Sequence, residues 1–181
     1  MNAFETRSSL LGGYSRFMTA HQKFEVHQKY DGFEVREFAA CVVADVEVSG
    51  DVSSAGSQAF RPLFNYISSN QIAMTAPVIE EELSKEKWRV SFVMPEGSKI
   101  SDLPNPVGSP VVLRELPAHR AAALRFNGRT TEKAVLEHEL KLLELVKAQG
   151  LKVTGKARIA RFDPPWKPPF ARHNEVILPI E

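Results

Sequence analysis

Val42-Val43-Ala44-Asp45-Val46-Glu47-Val48-Ser49-Gly50-Asp51 decides the fold. Val42, Ala44, Val46 and Val48 alternate with Asp45 and Glu47, which is the period of a strand with one buried face. Ser49-Gly50-Asp51 ends that strand and opens the next element. From 52 to 67 the period changes: Ala59, Phe60, Leu63, Phe64 and Ile67 recur at helical spacing, and Ser68-Ser69-Asn70 supplies a stop. Pro62 lies within this stretch, and an interior proline removes a backbone donor, so the helix is predicted to kink or to start near that residue. Two strands should follow, over 72–80 and 88–94.

The same order returns further along the chain. Strand-like segments at 111–116 and 120–126 lead through Gly128-Arg129-Thr130 into a helix over 131–149. Thr130 or Thr131 is placed to cap it, Glu132 and Lys147 suit its two ends, and Leu136, Leu140, Leu143 and Val146 are predicted to face the core. Strands at 156–162 and 175–180 close the sequence. Gly50 and Gly128 are 78 residues apart, Asn70 and Gly150 80, and Pro95 and Pro179 84. This near-constant offset reads as an internal duplication over about 40–95 and 118–181. The segment 95–110, with four prolines and two glycines, joins the halves. The predicted fold class is α+β: duplicated β-α-β-β units forming a pseudo-twofold antiparallel barrel-like sheet with two main helices. A cleft at the pseudo-twofold axis is a natural ligand site.

Upstream, 24–30 and 33–38 flank Asp31-Gly32 as a hairpin. Residues 1–22 show no sustained period and read as a tail or loosely docked arm, leaving one domain over 23–181. The chain has 181 residues, 43% of them apolar, which is enough for one substantial core. A formal charge of +1 without a long basic block argues against nucleic acid as a partner. No apolar run has the length of a transmembrane segment, and Leu10-Leu11 is far short of a signal-peptide core, so the expected location is cytoplasmic. Cys41 alone supports neither a disulfide framework nor a multi-thiolate metal site, and it reads as an inert small hydrophobe.

Several segments together resemble the SOUL haem-binding protein family over roughly residues 24–181. They are Phe33-Glu34-Val35-Arg36-Glu37-Phe38; Phe60 with Leu63, Tyr66 and Ile67; Met74-Thr75-Ala76-Pro77-Val78; Phe92-Val93-Met94-Pro95; Phe126-Asn127-Gly128; Phe162-Asp163-Pro164-Pro165; and Asn174-Glu175-Val176. The resemblance implies the duplicated barrel and suggests binding of haem or a related tetrapyrrole, as carrier or buffer, with no catalysis. It departs from the family where the ligand would be held. The proposed axial histidine position reads Glu37, and the basic positions of the first helix read Ser57 and Asn65. The loop after Asp-Pro-Pro keeps Lys167. Arg61, one turn from Asn65, is a substitute cation suggested by its position. Phe60, Arg61, Phe64 and Lys167 are therefore the candidate cofactor-binding residues, on a cleft formed by the first helix and the 164–170 loop, with the metal ligand unknown. That Phe60 and Phe64 simply fill the core is an equally good reading.

Two rivals carry their own features. Glu37, Ser57 and Asn65 in place of a ligand and basic groups suit another small hydrophobic or cationic molecule, as in bacterial effector-binding domains. A hydrolase would need a cleft carboxylate such as Glu37 or Glu175, buried and with a raised pKa. Other chemistry lacks support. His21, His27, His119, His138 and His173 are scattered, and Met74 and Met94 are expected in strands as core fillers. His138-Glu139 lacks a second histidine four residues on, where Leu142 stands. Glu80-Glu81-Glu82 reads as a solvated strand end, and the proline-rich 164–169 stretch as a rigid loop holding Trp166 and Lys167 beside the cleft.

Overall fold

A computed structural model describes residues 20–181. The expected arm at 1–19 lies outside the described residues. Of its last members, His21 bridges to Ala76 and Gln22 is buried.

The elements run β1 (Phe24–Tyr30), β2 (Phe33–Phe38), β3 (Cys41–Ser49), α1 (Val52–Ser69), β4 (Val78–Ser84), β5 (Lys87–Val93), β6 (Val112–Leu116), β7 (His119–Asn127), α2 (Glu132–Ala148), β8 (Arg158–Arg161) and β9 (His173–Pro179). All nine strands form one curled antiparallel sheet, ordered β1-β2-β7-β9-β8-β4-β5-β3-β6. The order reads as a palindrome about the central β4–β8 pair: β5 and β9 flank it, then β3 and β7. This is the pseudo-twofold of a duplicated β-α-β-β unit. Gly50 and Gly128 end the equivalent strands β3 and β7 at φ of 131° and 115°, a backbone region that side chains rarely adopt. Caps repeat with them. Asp51 accepts from the Ser54 amide at 2.8 Å, and Thr131, 80 residues on, accepts from the Ala134 amide at 3.2 Å.

Both helices lie on one face of the sheet. Under α1, Ala55, Ala59, Leu63, Tyr66 and Ile67 pack on Val42, Ala44, Val46, Val90 and Phe92. Under α2, Leu142 and Val146 pack on Leu124, Phe126, Val176 and Leu178. The opposite face carries small apolar groups such as Ala121, Ala123 and Ala160, and buried ion pairs at its two ends. At one end Asp45 accepts from Arg114 Nε at 2.6 Å. At the other, Glu175 accepts both terminal nitrogens of Arg36 at 2.7 and 3.1 Å and pairs with His173 Nε2 at 2.8 Å.

Several local expectations change. Pro62 sits inside an unbroken α1, because the buried row of Ala59, Leu63 and Tyr66 offsets one lost hydrogen bond. Met74 precedes β4 in an irregular segment and is exposed, whereas Met94 is in the core. In α2 the buried leucine is Leu142, while Leu136 and Leu140 are exposed: the sheet covers a narrower stripe of this helix than a seven-residue apolar pattern suggests. Glu80-Glu81-Glu82 lies within β4 and not at a solvated end, and Glu80 has no exposed surface.

Candidate functional site

Phe60 and Phe64 occupy one row of α1 with Val52 and Gly56, four residues apart each time. Their rings stack at 5.5 Å with 12° between planes, and Phe60 meets Phe92 edge-on at 5.6 Å. At 38% and 43% exposure, the two rings form an aromatic face rather than core filling. Arg61 is exposed beside them and makes no ion pair or hydrogen bond among the described residues. Lys167 is engaged locally: its Nζ lies 2.8 Å from Asp163 Oδ1, and no hydrogen bond or ion pair among the described residues joins it to α1. Three of the four predicted residues share α1, and the fourth, Lys167, comes from the loop between β8 and β9.

Glu37, Tyr66 and Cys41 are each engaged in other contacts. Glu37, at the family's axial position, pairs with Arg120 at 2.5 Å. Tyr66 donates its hydroxyl to the Pro104 carbonyl at 2.8 Å. Cys41 accepts from Gln22, and burial pushes its thiol pKa up, in keeping with an inert thiol. The residues present fit the apolar body and one acidic edge of a macrocycle, without fixing its metal.

Beneath the N-terminal end of the same row lies Glu80. Its Oε2 accepts from Arg161 Nη2 at 2.8 Å, and that nitrogen also donates to the Val52 carbonyl at 3.1 Å. Its Oε1 is buried without a hydrogen-bond partner. Burial raises this carboxyl from 4.5 to about 7, against the opposing pull of Arg161. Of the two carboxylates considered for a cleft, Glu37 lies in a half-exposed ion pair, and the Glu175 pKa is held down by His173 and Arg36 despite burial. Sequence reading missed Glu80, although Gly56 in the middle of a helix is a signal of close approach. A Cβ there would collide with Glu80 Oε1.

Across the pseudo-axis a groove of about 190 Å³ opens between α2 and the sheet, lined by Trp88, Glu82, Glu139, Lys156, Val135 and Ile159 among others. Burial and the nearby Glu82 raise the Glu139 pKa. Three isolated sequence features, the Glu80-Glu81-Glu82 run, Trp88 and Glu139, thus converge through the β4–β5 register and the docking of α2.

A duplicated, curled α+β sheet with an aromatic face on one helix and a groove beneath the other defines a small-molecule-binding domain. The sequence pattern of the SOUL heme-binding protein family matches residues 19–179, and the chain belongs to that family. Membership supports binding of haem or a related tetrapyrrole, and the family is a ligand-binding and not a catalytic one. No curated protein matches the chain in sequence. Among solved structures, it is similar to the EcmrR C-terminal domain, with TM-score 0.65 and 15% identity over 82% of this chain and 96% of that one. EcmrR in a DNA complex superposes at TM-score 0.65 and 16% identity over 82% of this chain and 57% of that one. A hydrolase from Listeria innocua superposes at TM-score 0.59 and 14% identity, over 86% and 94%. At these identities the likeness shows the fold alone. No helix among the described residues is long and apolar enough to cross a membrane.

Proposed function

We propose that this chain binds haem or a related tetrapyrrole on the Phe60–Phe64 face of α1, as a carrier or buffer. The exposed stacked pair is the observation that supports this placement. A macrocycle laid on it covers apolar surface contributing about 25 cal/mol per Å², while Arg61 and Lys167 serve as partners for acidic substituents. Bound haem would supply iron chemistry; the residues named here bind and orient the ring. The setting we propose is cytoplasmic, over one domain from residue 23 after an N-terminal arm, without a nucleic-acid partner.

The α2 groove favours a second reading, a cationic aromatic ligand, because Trp88 and two carboxylates against the single cation of Lys156 line it. One titration series separates the two. Haemin should saturate the chain at one equivalent by its Soret band, with affinity falling about tenfold in Phe60→Ala/Phe64→Ala and less in Arg61→Ala or Lys167→Ala. Ethidium, followed by Trp88 quenching in a Trp166→Phe background, should bind the α2 groove and respond to Glu139→Gln if the second reading holds. Haemin uptake that neither saturates nor changes in the double variant would sink the first reading.

A further inference from the structure

The tetrapyrrole reading uses one residue, Lys167, from the loop between β8 and β9. The same loop carries two of the most exposed aromatic side chains described, Trp166 at 82% and Phe170 at 80%. The loop is built, not loose. Pro164, Pro165, Pro168 and Pro169 restrict its backbone. Arg172 donates from Nε to the Lys167 carbonyl at 2.8 Å and from Nη2 to the Pro165 carbonyl. Asn127 of β7 donates to the Phe170 carbonyl at 3.2 Å, and Asp163 accepts from the His173 amide at 2.6 Å. A rigid loop that leaves two large apolar rings in water presents them to something.

Charge identifies the partner. Arg125 and Arg129 lie within two residues of Asn127, and Lys167 and Arg172 belong to the loop. Against these four cations stand Asp163, which pairs with Lys167, Glu132 at the start of α2, and the buried Glu175 across from Arg125, itself paired with Arg36 and His173. Exposed aromatics with Lys and Arg in the same loop and at the adjoining end of β7 match the boundary between anionic headgroups and acyl chains, where aromatic rings settle and basic side chains meet lipid phosphates. We propose that residues 164–170 form an interfacial anchor that seats the protein on anionic lipid membranes. Two rings and a modest basic rim give reversible binding, short of stable attachment. The proposal stands independently of what α1 binds.

The test uses the full chain with extruded vesicles of phosphatidylcholine alone or with phosphatidylserine. Emission is read in a Trp88→Phe background, where Trp166 is the remaining tryptophan. Expected are sedimentation with the phosphatidylserine vesicles, a blue shift of Trp166 emission, weakening at high salt, and about tenfold less binding in Trp166→Ser/Phe170→Ser. Both positions are exposed, so circular dichroism should show that variant folded. No sedimentation, or equal sedimentation of the double variant, overturns the proposal. So does Trp166 already shielded from acrylamide in the lipid-free chain, which would mean that another segment of the chain covers the loop.

Discussion

The two helices start from the same kind of strand, the same glycine turn and equivalent caps, yet they meet the sheet differently. α1 brings Ala55, Gly56 and Ala59 down onto β3, β4 and β5 and seals Glu80 completely. α2 carries Leu136 and Glu139 at the positions 80 residues on from Gly56 and Ala59, rests on β7 and β9, and leaves the groove over β8. Side-chain size along one row decides whether a duplicated unit closes or opens. Closure turns the outer edge of α1 into a flat aromatic face, while standing off gives α2 an acidic recess. A duplicated fold can therefore offer two dissimilar surfaces without changing its backbone plan.

The largest expected effect tests whether the halves contribute equally to one core. Leu63 and Leu142 are both fully buried, one under each helix. Leu63→Ala and Leu142→Ala should each destabilise by about 2–5 kcal/mol in denaturant titrations followed by circular dichroism. Both should retain a single transition with unchanged slope. A separate early transition in Leu142→Ala alone would show that the α2 half unfolds independently.

Next in size is the pH response of the sealed acid. The Glu80 pKa, about 7 in the folded chain, lies above its ordinary value of 4.5. Its contribution is therefore fully present below about 4.5, declines as pH rises, and is lost above about 7. The shift sets an upper range of about 3 kcal/mol across that window. Glu175, with its pKa held down, acts in the opposite direction and only at more acidic pH. Unfolding midpoints from pH 4.5 to 8 should fall more steeply for the native chain than for Glu80→Gln, in which the raised pKa of Glu139 still acts in the same direction and the lowered pKa of His119 in the opposite one. An unchanged slope in the variant would assign the response to another group.

Much of this fold was legible because strand alternation, helical period and the repeated glycine-to-glycine spacing agree, and Phe60 and Phe64 announced an apolar helix face. The site was less legible because its remaining parts are long-range. Glu80 looks like one of three solvated glutamates until the β4–β8 register places Ile159 opposite it and Arg161 beside it. Leu136 and Leu140 fit an amphipathic stripe as well as Leu142 does, and the sheet's curl alone selects among them. Lys167 fits the family's loop position, and its Asp163 partner lies only four residues back, but in an irregular segment no helical period announces that such a pair will meet.

The smallest expected effects bear most directly on why one helix closes. Alanine at Gly56 should gain about 0.5–1 kcal/mol from helix propensity. Its Cβ, however, meets Glu80 Oε1, which is buried beneath α1, so either the helix lifts or the Glu80–Arg161 pair shifts. We expect a net loss of about 1–3 kcal/mol for Gly56→Ala, with part of the pH response lost as water reaches the carboxyl. The counterpart change on the open side, Leu136→Ala, removes a side chain that is 54% exposed and should stay within about 0.5 kcal/mol. A neutral or stabilising Gly56→Ala would mean that α1 has slack over Glu80, and that side-chain size along its row does not set the difference between the halves.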